Sequence, residues 1–591
     1  MMKKTIATML LAVMQSAFAV SLMDGKYINF EEYVREKNLS VYQVKDVIEI
    51  SVPEKVGCST LDEYKTKCVN GENWDRRYFS NMDLQKAFVE ARNMKGIGVY
   101  LPPGVWNFAE QIVVPHGMTL KGSYDRPHNV TQADLHAIAN GSDATVTWEY
   151  TDGTNIACYH GWGKKVAAYD PSNPDKDACI ALRGTATLDG VNVFYPQQEK
   201  PRHNEPFEPV PFPWTISCQS GEGFPAHYYP EEEGRNPESL DYLSRCSVIN
   251  TTLVNSYAGI DLSGANDHYI KGVNMAAFRR GIRLDAITSQ GAIEDVNIHH
   301  QFSWSFYNLM DLKAGSDDNK MMDSISAFTL NHLIGMDIRR VDWGWINNVF
   351  IYKANKGFYF RRGYNGDKEF RSAPSVDIQN SGCDICRDAV YAYEINPGVA
   401  VSFSNCNLLG RIKSRTANYG SIRITNSHLA FEASSYGARK VGDKNLYDRN
   451  HIEVAAHTTL QITNSEILDY VGDPIGLWQG STFDVRGNLF IDNTVLVWLD
   501  TKGFNFKEQK INGETVYPVL HFREHSDAII VTDNLLLRGP EDLRSDRRSG
   551  DGKPRHVRQT NTYRDPLETG YFPGVKPLEE LTALEESEYS D

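Results

Sequence analysis

Phe403-Ser404-Asn405-Cys406-Asn407-Leu408, Ile424-Thr425-Asn426-Ser427-His428-Leu429 and Ile462-Thr463-Asn464-Ser465-Glu466-Ile467 share one arrangement: a short apolar strand, an Asn, and a second short apolar strand. Looser copies surround Asn488 and Asn534, and Val273-Asn274-Met275 and Val296-Asn297-Ile298 repeat the pattern upstream. Clean neighbours lie 21 to 24 residues apart, while the intervals 426–464 and 488–534 admit either one coil with a loop or two coils. A repeat of this length, built from brief β-branched runs punctuated by Asn, Gly and Ser, reads as a solenoid. No coil buries its apolar face alone, so coils must stack. Asn tolerates the left-handed turn conformation, and its amide is free to bond the Asn above and below. The expected fold is all-β, a right-handed parallel β-helix with one long groove suited to a polymer.

The rest of the chain fits around that repeat. Asp83 to Val89 has helical periodicity and an acidic first turn, which predicts a helix covering the open end of the first coil. Val99-Tyr100-Leu101-Pro102-Pro103-Gly104 and Met118-Thr119-Leu120-Lys121-Gly122 then open the coils. A long loop is expected within 124–172, and the proline-rich 197–240 reads as a second irregular stretch, long enough to wall a groove. The divisions are residues 1–19 as a signal peptide, 20–79 as an N-terminal extension, 80–540 as the β-helix and 541–591 as a charged tail.

Met1-Met2-Lys3-Lys4, the apolar run within Thr5 to Ser16, and Ala17-Phe18-Ala19 form a leader with cleavage expected after Ala19. The expected address is periplasmic or secreted, with no membrane span. Nine cysteines in an exported chain permit disulfides and leave at least one thiol over. Cys58 with Cys68 would close a short loop. Cys158, Cys179, Cys218 and Cys246 admit several pairings, and Cys383 and Cys386 read as buried coil cysteines rather than metal ligands. With 41% hydrophobic and 11% aromatic residues the composition is globular, and a net charge of −15 argues against nucleic acid or anionic membrane surfaces as partners.

Leu101-Pro102-Pro103-Gly104, Leu120-Lys121-Gly122-Ser123 and the Asn-containing coils resemble the pectate-lyase-like superfamily of parallel β-helix proteins. Phe194-Tyr195-Pro196-Gln197-Gln198, Pro213-Trp214-Thr215-Ile216, Gly291 to Val296 and Arg340-Val341-Asp342-Trp343 resemble bacterial polygalacturonase-related proteins. Arg411-Ile412-Lys413 matches the basic tripeptide of the polygalacturonases and Asp317-Asp318 could pass for their acidic pair. Their Asn-Thr-Asp and Gly-His-Gly elements are absent. The resemblance implies a fold that hosts hydrolases, lyases and non-catalytic adhesins alike.

The densest chemistry lies in Asp337-Ile338-Arg339-Arg340-Val341-Asp342-Trp343-Gly344-Trp345. Hydrolysis of a polysaccharide needs two carboxyl groups, and the 42-residue interval from Asp342 to Asp384 suggests a pair two coils apart, with Asp337 in reserve. Arg340, Trp343, Trp345 and Trp214 would bind sugar, indole being a flat cover for a pyranose. A second cluster, Arg279 and Arg280 with His299, His300 and Trp304, would suit elimination from a uronate. The expectation is a glycoside hydrolase, with a polysaccharide lyase or an adhesive solenoid as alternatives. No cofactor is required; Ca2+ ligands drawn from separate coils, and a homo-oligomer, are compatible with the sequence.

Overall fold

The computed structural model describes residues 21–37, 77–124, 153–164, 177–219, 245–307, 315–361, 374–393, 400–414, 420–430 and 459–468, with a few short strands and single residues besides. The leader, the expected Cys58–Cys68 loop, the turns at Asn488 and Asn534 and most of the C-terminal tail lie outside these residues. The chain divides into two compact units, Met1–Met336 and Asp337–Asp591. Each consists of parallel coils, so the parallel β-helix expected from the Asn repeat is the fold. A coil contributes one strand to each of three faces. The first strand precedes the Asn turn, the second follows it, and the third follows the next corner.

In the N-terminal unit the first face is an aliphatic stack. Ile28, Val99, Leu120, Leu188, Val248, Ile270 and Ile293 lie in register from coil to coil, all buried. Each such side chain contributes about 1.5–3 kcal/mol of burial. The capping helix spans Asn81–Asn93, with the Ser80 hydroxyl accepting from Met82 N and Leu84, Ala87, Phe88 and Ala91 facing inward. The extension before it carries more structure than its polar composition suggests. Tyr27–Asn29 adds a strand, and the Asn29 side chain caps a helix over Phe30–Glu36. Lys37 and Glu90 join the two helices at 3.2 Å.

The turns obey the Asn reading with one correction. Asn348, Asn380, Asn405, Asn426 and Asn464 all hold φ near +50°, as does Asn250. The equivalent positions upstream are Gly272 and Asp295, not Asn274 and Asn297. Those two Asn lie two residues further on, in register with each other on the second strand. The bonds between turns also differ from expectation. The residue after the Asn makes them: Ser381 Oγ accepts from Val349 N, Ser427 Oγ from Cys406 N, and Ser465 Oγ from Ser427 N, at 3.0–3.1 Å. Each hydroxyl donates to the carbonyl two residues back. Thr425 is directly opposite Thr463, and Val485 opposite Val531, so each wide interval is one coil with an excursion.

Two further expectations change. The stretch 197–240 is interrupted by a third-face strand, Trp214–Gln219, and is therefore not one loop. The coils expected to run nearly unbroken from 242 contain helices Phe302–Phe306 and Asp317–His332. Asp317 and Asp318, the candidate acidic pair, form the acidic first turn of the longer helix behind its Ser316 cap. Met322 and Ile325 of that helix pack with Trp304, Phe306, Phe278 and Phe207, a second apolar cluster.

Candidate functional site

In the Asp337–Asp591 unit the third face is built from Lys356–Phe360, Asp388–Ala392 and Arg411–Ser414, preceded by the end of Ile334–Ile338. Strand alternation sends Phe358 and Phe360 into the core, where both meet the edge of Phe403. Tyr359, Tyr391, Arg411 and Lys413 take the alternate positions, while Lys356 and Asp388 stand at the strand starts, two residues before Phe358 and Val390. Lys356, Asp388 and Arg411 are in register, and so are Tyr359, Tyr391 and Lys413. The second row exists because the chain carries one extra residue between Asp388 and Val390. That bulge sets Arg411 beside Asp388 and Lys413 beside Tyr391 at once.

The contacts are charge-assisted and shielded from water. Arg411 Nε donates to Asp388 Oδ1 at 2.6 Å, with both side chains buried. Burial pushes the Asp388 carboxyl up, but Arg411, Lys413 and Lys356 outweigh it and hold the group below its usual range. Lys356 Nζ lies 4.3 Å from the Tyr391 ring centre and 5.4 Å from that of Tyr359. The two phenol rings stand 5.3 Å apart. Asp337, fully buried, receives Arg361 through Nε at 2.8 Å and Nη2 at 2.6 Å, and Arg339 through Nη2 at 3.0 Å. Arg339 and Arg361, each 17% exposed, are where the row reaches solvent. Five cations, two carboxylates and two phenols thus share one face of a chain whose net charge is −15.

The expected residues distribute differently. Asp337 belongs to this row. Arg340, Asp342, Trp343 and Trp345 stand past the next corner, on the first face; Arg340 and Asp342 approach to 3.7 Å and both indoles are exposed. Asp384 does not meet Asp342. Its register partner is Tyr352, ten positions further along the strand Val341–Tyr352, so the separation inferred from the 42-residue interval is not provided. Burial first, and the Asp384 charge second, push the Tyr352 hydroxyl up to about 12.

The Arg-His cluster is assembled only in part: the His299 and His300 rings stack with centres 5.7 Å apart, and Trp304 stands 5.7 Å from His300. The chain leaves the coil after Ile298, and His300 Nε2 pairs with the Ser326 hydroxyl at 2.9 Å. His299 Nδ1 accepts from Gln301 N, Trp304 is packed in the second apolar cluster, and Arg279 donates to His332 O. Arg280 is on the third face, in register with Ala258, which in turn faces Trp214. Trp214 is buried under the Arg283 guanidinium, 4.8 Å from its ring, and Arg283 forks onto Asp261. These are positions in the N-terminal unit.

Disulfides join Cys158 to Cys179, Cys218 to Cys246 and Cys383 to Cys386; the last two are buried in the coil, as expected, and bonded to each other. Among the described residues no three His, Cys, Asp or Glu side chains gather as a metal site, and no helix is long and apolar enough to cross a membrane. Sequence reading missed Lys356, Tyr359, Arg361, Asp388 and Tyr391. Their signal is charge or phenol interleaved with apolar residues in a short run, as in Lys356-Gly357-Phe358-Tyr359-Phe360-Arg361.

No protein-family model matches the chain, and no curated protein is significantly similar to it. Among solved structures, a DFA-IIIase from Arthrobacter chlorophenolicus A6 without its lid is 10% identical, covering 70% of this chain and 88% of its own, with a TM-score of 0.32. The tailspike of E. coli bacteriophage HK620, in complex with a pentasaccharide, is 9% identical over 70% of this chain and 62% of its own, with a TM-score of 0.32. The Streptococcus pneumoniae surface protein and adhesin PfbA is 9% identical over 70% and 97%, with a TM-score of 0.28. Overlap at this level carries no information about reaction or ligand.

Proposed function

We propose that this protein acts on a polysaccharide bearing uronate carboxylates, at the charged third face of its C-terminal unit, and cleaves it by β-elimination. The observation that carries the reading is the donor set itself: guanidinium, ammonium and phenol groups converging on adjacent coils. In elimination a base removes the proton at C5, its electrons form the C4–C5 double bond, and the C4–O bond breaks with proton transfer to the leaving oxygen. A cation on the carboxylate acidifies that C5 proton, and a shielded site strengthens the interaction. Arg339 and Arg361, where the face reaches solvent, meet the carboxylate, and the buried Arg411, Lys413 and Tyr391 behind them tune its charge and proton transfer.

Hydrolysis, favoured from the sequence, requires a carboxyl that keeps its proton at working pH. Asp388 is held below its usual range by its neighbours and Asp337 is clamped between two arginines, so neither carboxylate described on this face is placed as that acid. Export is part of the same proposal; three disulfides suit an oxidising compartment. The test incubates the mature protein with uronate and neutral polysaccharides and follows reducing ends together with the ultraviolet absorbance of unsaturated uronates. Both rising together supports elimination. Reducing ends alone restore the hydrolase, and binding without either leaves a non-catalytic glycan-binding solenoid.

A further inference from the structure

Trp343 and Trp345 are the most exposed large side chains near any of the chemistry described, at 68% and 45%. They lie two residues apart on the strand Val341–Tyr352, with buried Gly344 between them. On an extended strand that interval sets two indoles on one side about 6.5–7 Å apart. Their surroundings are polar and mildly acidic. Asp377 is the direct neighbour of Trp345 in the next coil and is exposed like it. Asp342 precedes Trp343 with its side chain 47% exposed, and the Asn380 amide donates to Asn347 Oδ1 beside them.

The charged third face is different in every respect: cationic, shielded and phenolic. A polyanion suited to it would meet Asp377 and Asp342 at the indoles, with Arg340 3.7 Å from the second as the one cation described beside them. Two indoles also fall well short of the roughly 800 Å² per partner that a stable protein interface buries. Flat apolar faces interrupted by hydrogen-bonding groups fit sugar rings, whose CH faces are apolar and whose edges are hydroxyls. We infer that Trp343 and Trp345, with Asp342 and Asp377, form a second carbohydrate site, one that binds uncharged polysaccharide and takes no part in cleavage. It tethers the protein to a neutral glycan while the charged face works elsewhere.

The test is affinity electrophoresis of the mature chain through gels containing soluble xylan, mixed-linkage β-glucan, galactomannan or polygalacturonate. At least one neutral glycan should retard the wild type, with a blue shift in indole fluorescence. The Trp343→Ala/Trp345→Ala variant should lose at least tenfold in that affinity. Its thermal transition and its turnover of any uronate substrate should match the wild type. The inference is overturned by retardation on polygalacturonate alone, by no retardation on any neutral glycan, or by unchanged retardation in the variant. A dimer in sedimentation velocity that the variant abolishes would overturn it too, by assigning the indoles to a second copy. The readout is binding, so its failure is separate from failure of the elimination reading.

Discussion

Two faces of the same coils carry opposite surface chemistry. The first face of the C-terminal unit exposes indoles among carboxylates; the third buries phenols among guanidinium and ammonium groups. Both grow from one backbone rule, alternation of side chains across a strand, and share one core. Ile346, Ile378, Phe403, Ile424 and Ile462 form that core behind the indoles. A β-helix therefore separates stability from function cleanly: inward positions hold the stack, and outward positions are free to diverge face by face.

The comparison breaks most visibly at Asp388. Arg411→Met leaves a buried carboxylate without its guanidinium and should cost about 3–5 kcal/mol, read as a fall in the urea midpoint. The pH dependence has a definite sign. Because the folded Asp388 carboxyl lies below its usual value, the pair's stabilisation is complete above about pH 4 and is lost as pH falls through the lower, folded value. The variant should show a flatter acid limb in a pH series of denaturation midpoints. Next in size is Lys413→Met, which keeps the stem and removes the charge. It should lower turnover about 100-fold, near 2.7 kcal/mol, without altering retardation on neutral glycans.

A smaller effect sharpens the contrast between core and surface. Ser427→Ala removes the acceptor for Cys406 N and the donor to Thr425 O, and should cost about 1–2 kcal/mol with no change at either face. Smallest is the double tryptophan variant, at exposed positions of the first face, whose stability should stay within about 0.5 kcal/mol of wild type.

The coil was legible because its turn demands one backbone conformation that few residues accept, and Asn405, Asn426 and Asn464 declare it. Asn274 and Asn297 misled because Val-Asn-Met within a strand resembles Ile-Thr-Asn-Ser at a turn once φ is unknown. The site was far less legible. Sequence proximity favoured Asp337 to Trp345 as one cluster, but a corner of the solenoid sends Asp337 to one face and Trp343 to another. Asp342 and Asp384 failed for a related reason: coils here range from 21 residues to more than 30, so an interval does not count coils. The Lys356, Asp388 and Arg411 row depends on register and on one bulge, and neither leaves a local mark.

Cys406 occupies the ladder position that Ser381, Ser427 and Ser465 hold in neighbouring coils. It is the free thiol among the described residues, buried, and pushed up to about 11 by that burial. A thiol so placed is unreactive while the coil is closed, since alkylation requires both access and thiolate. Its rate of labelling by a small electrophile is therefore a clock for the opening of a single rung, set into the solenoid by replacement of one oxygen with sulfur.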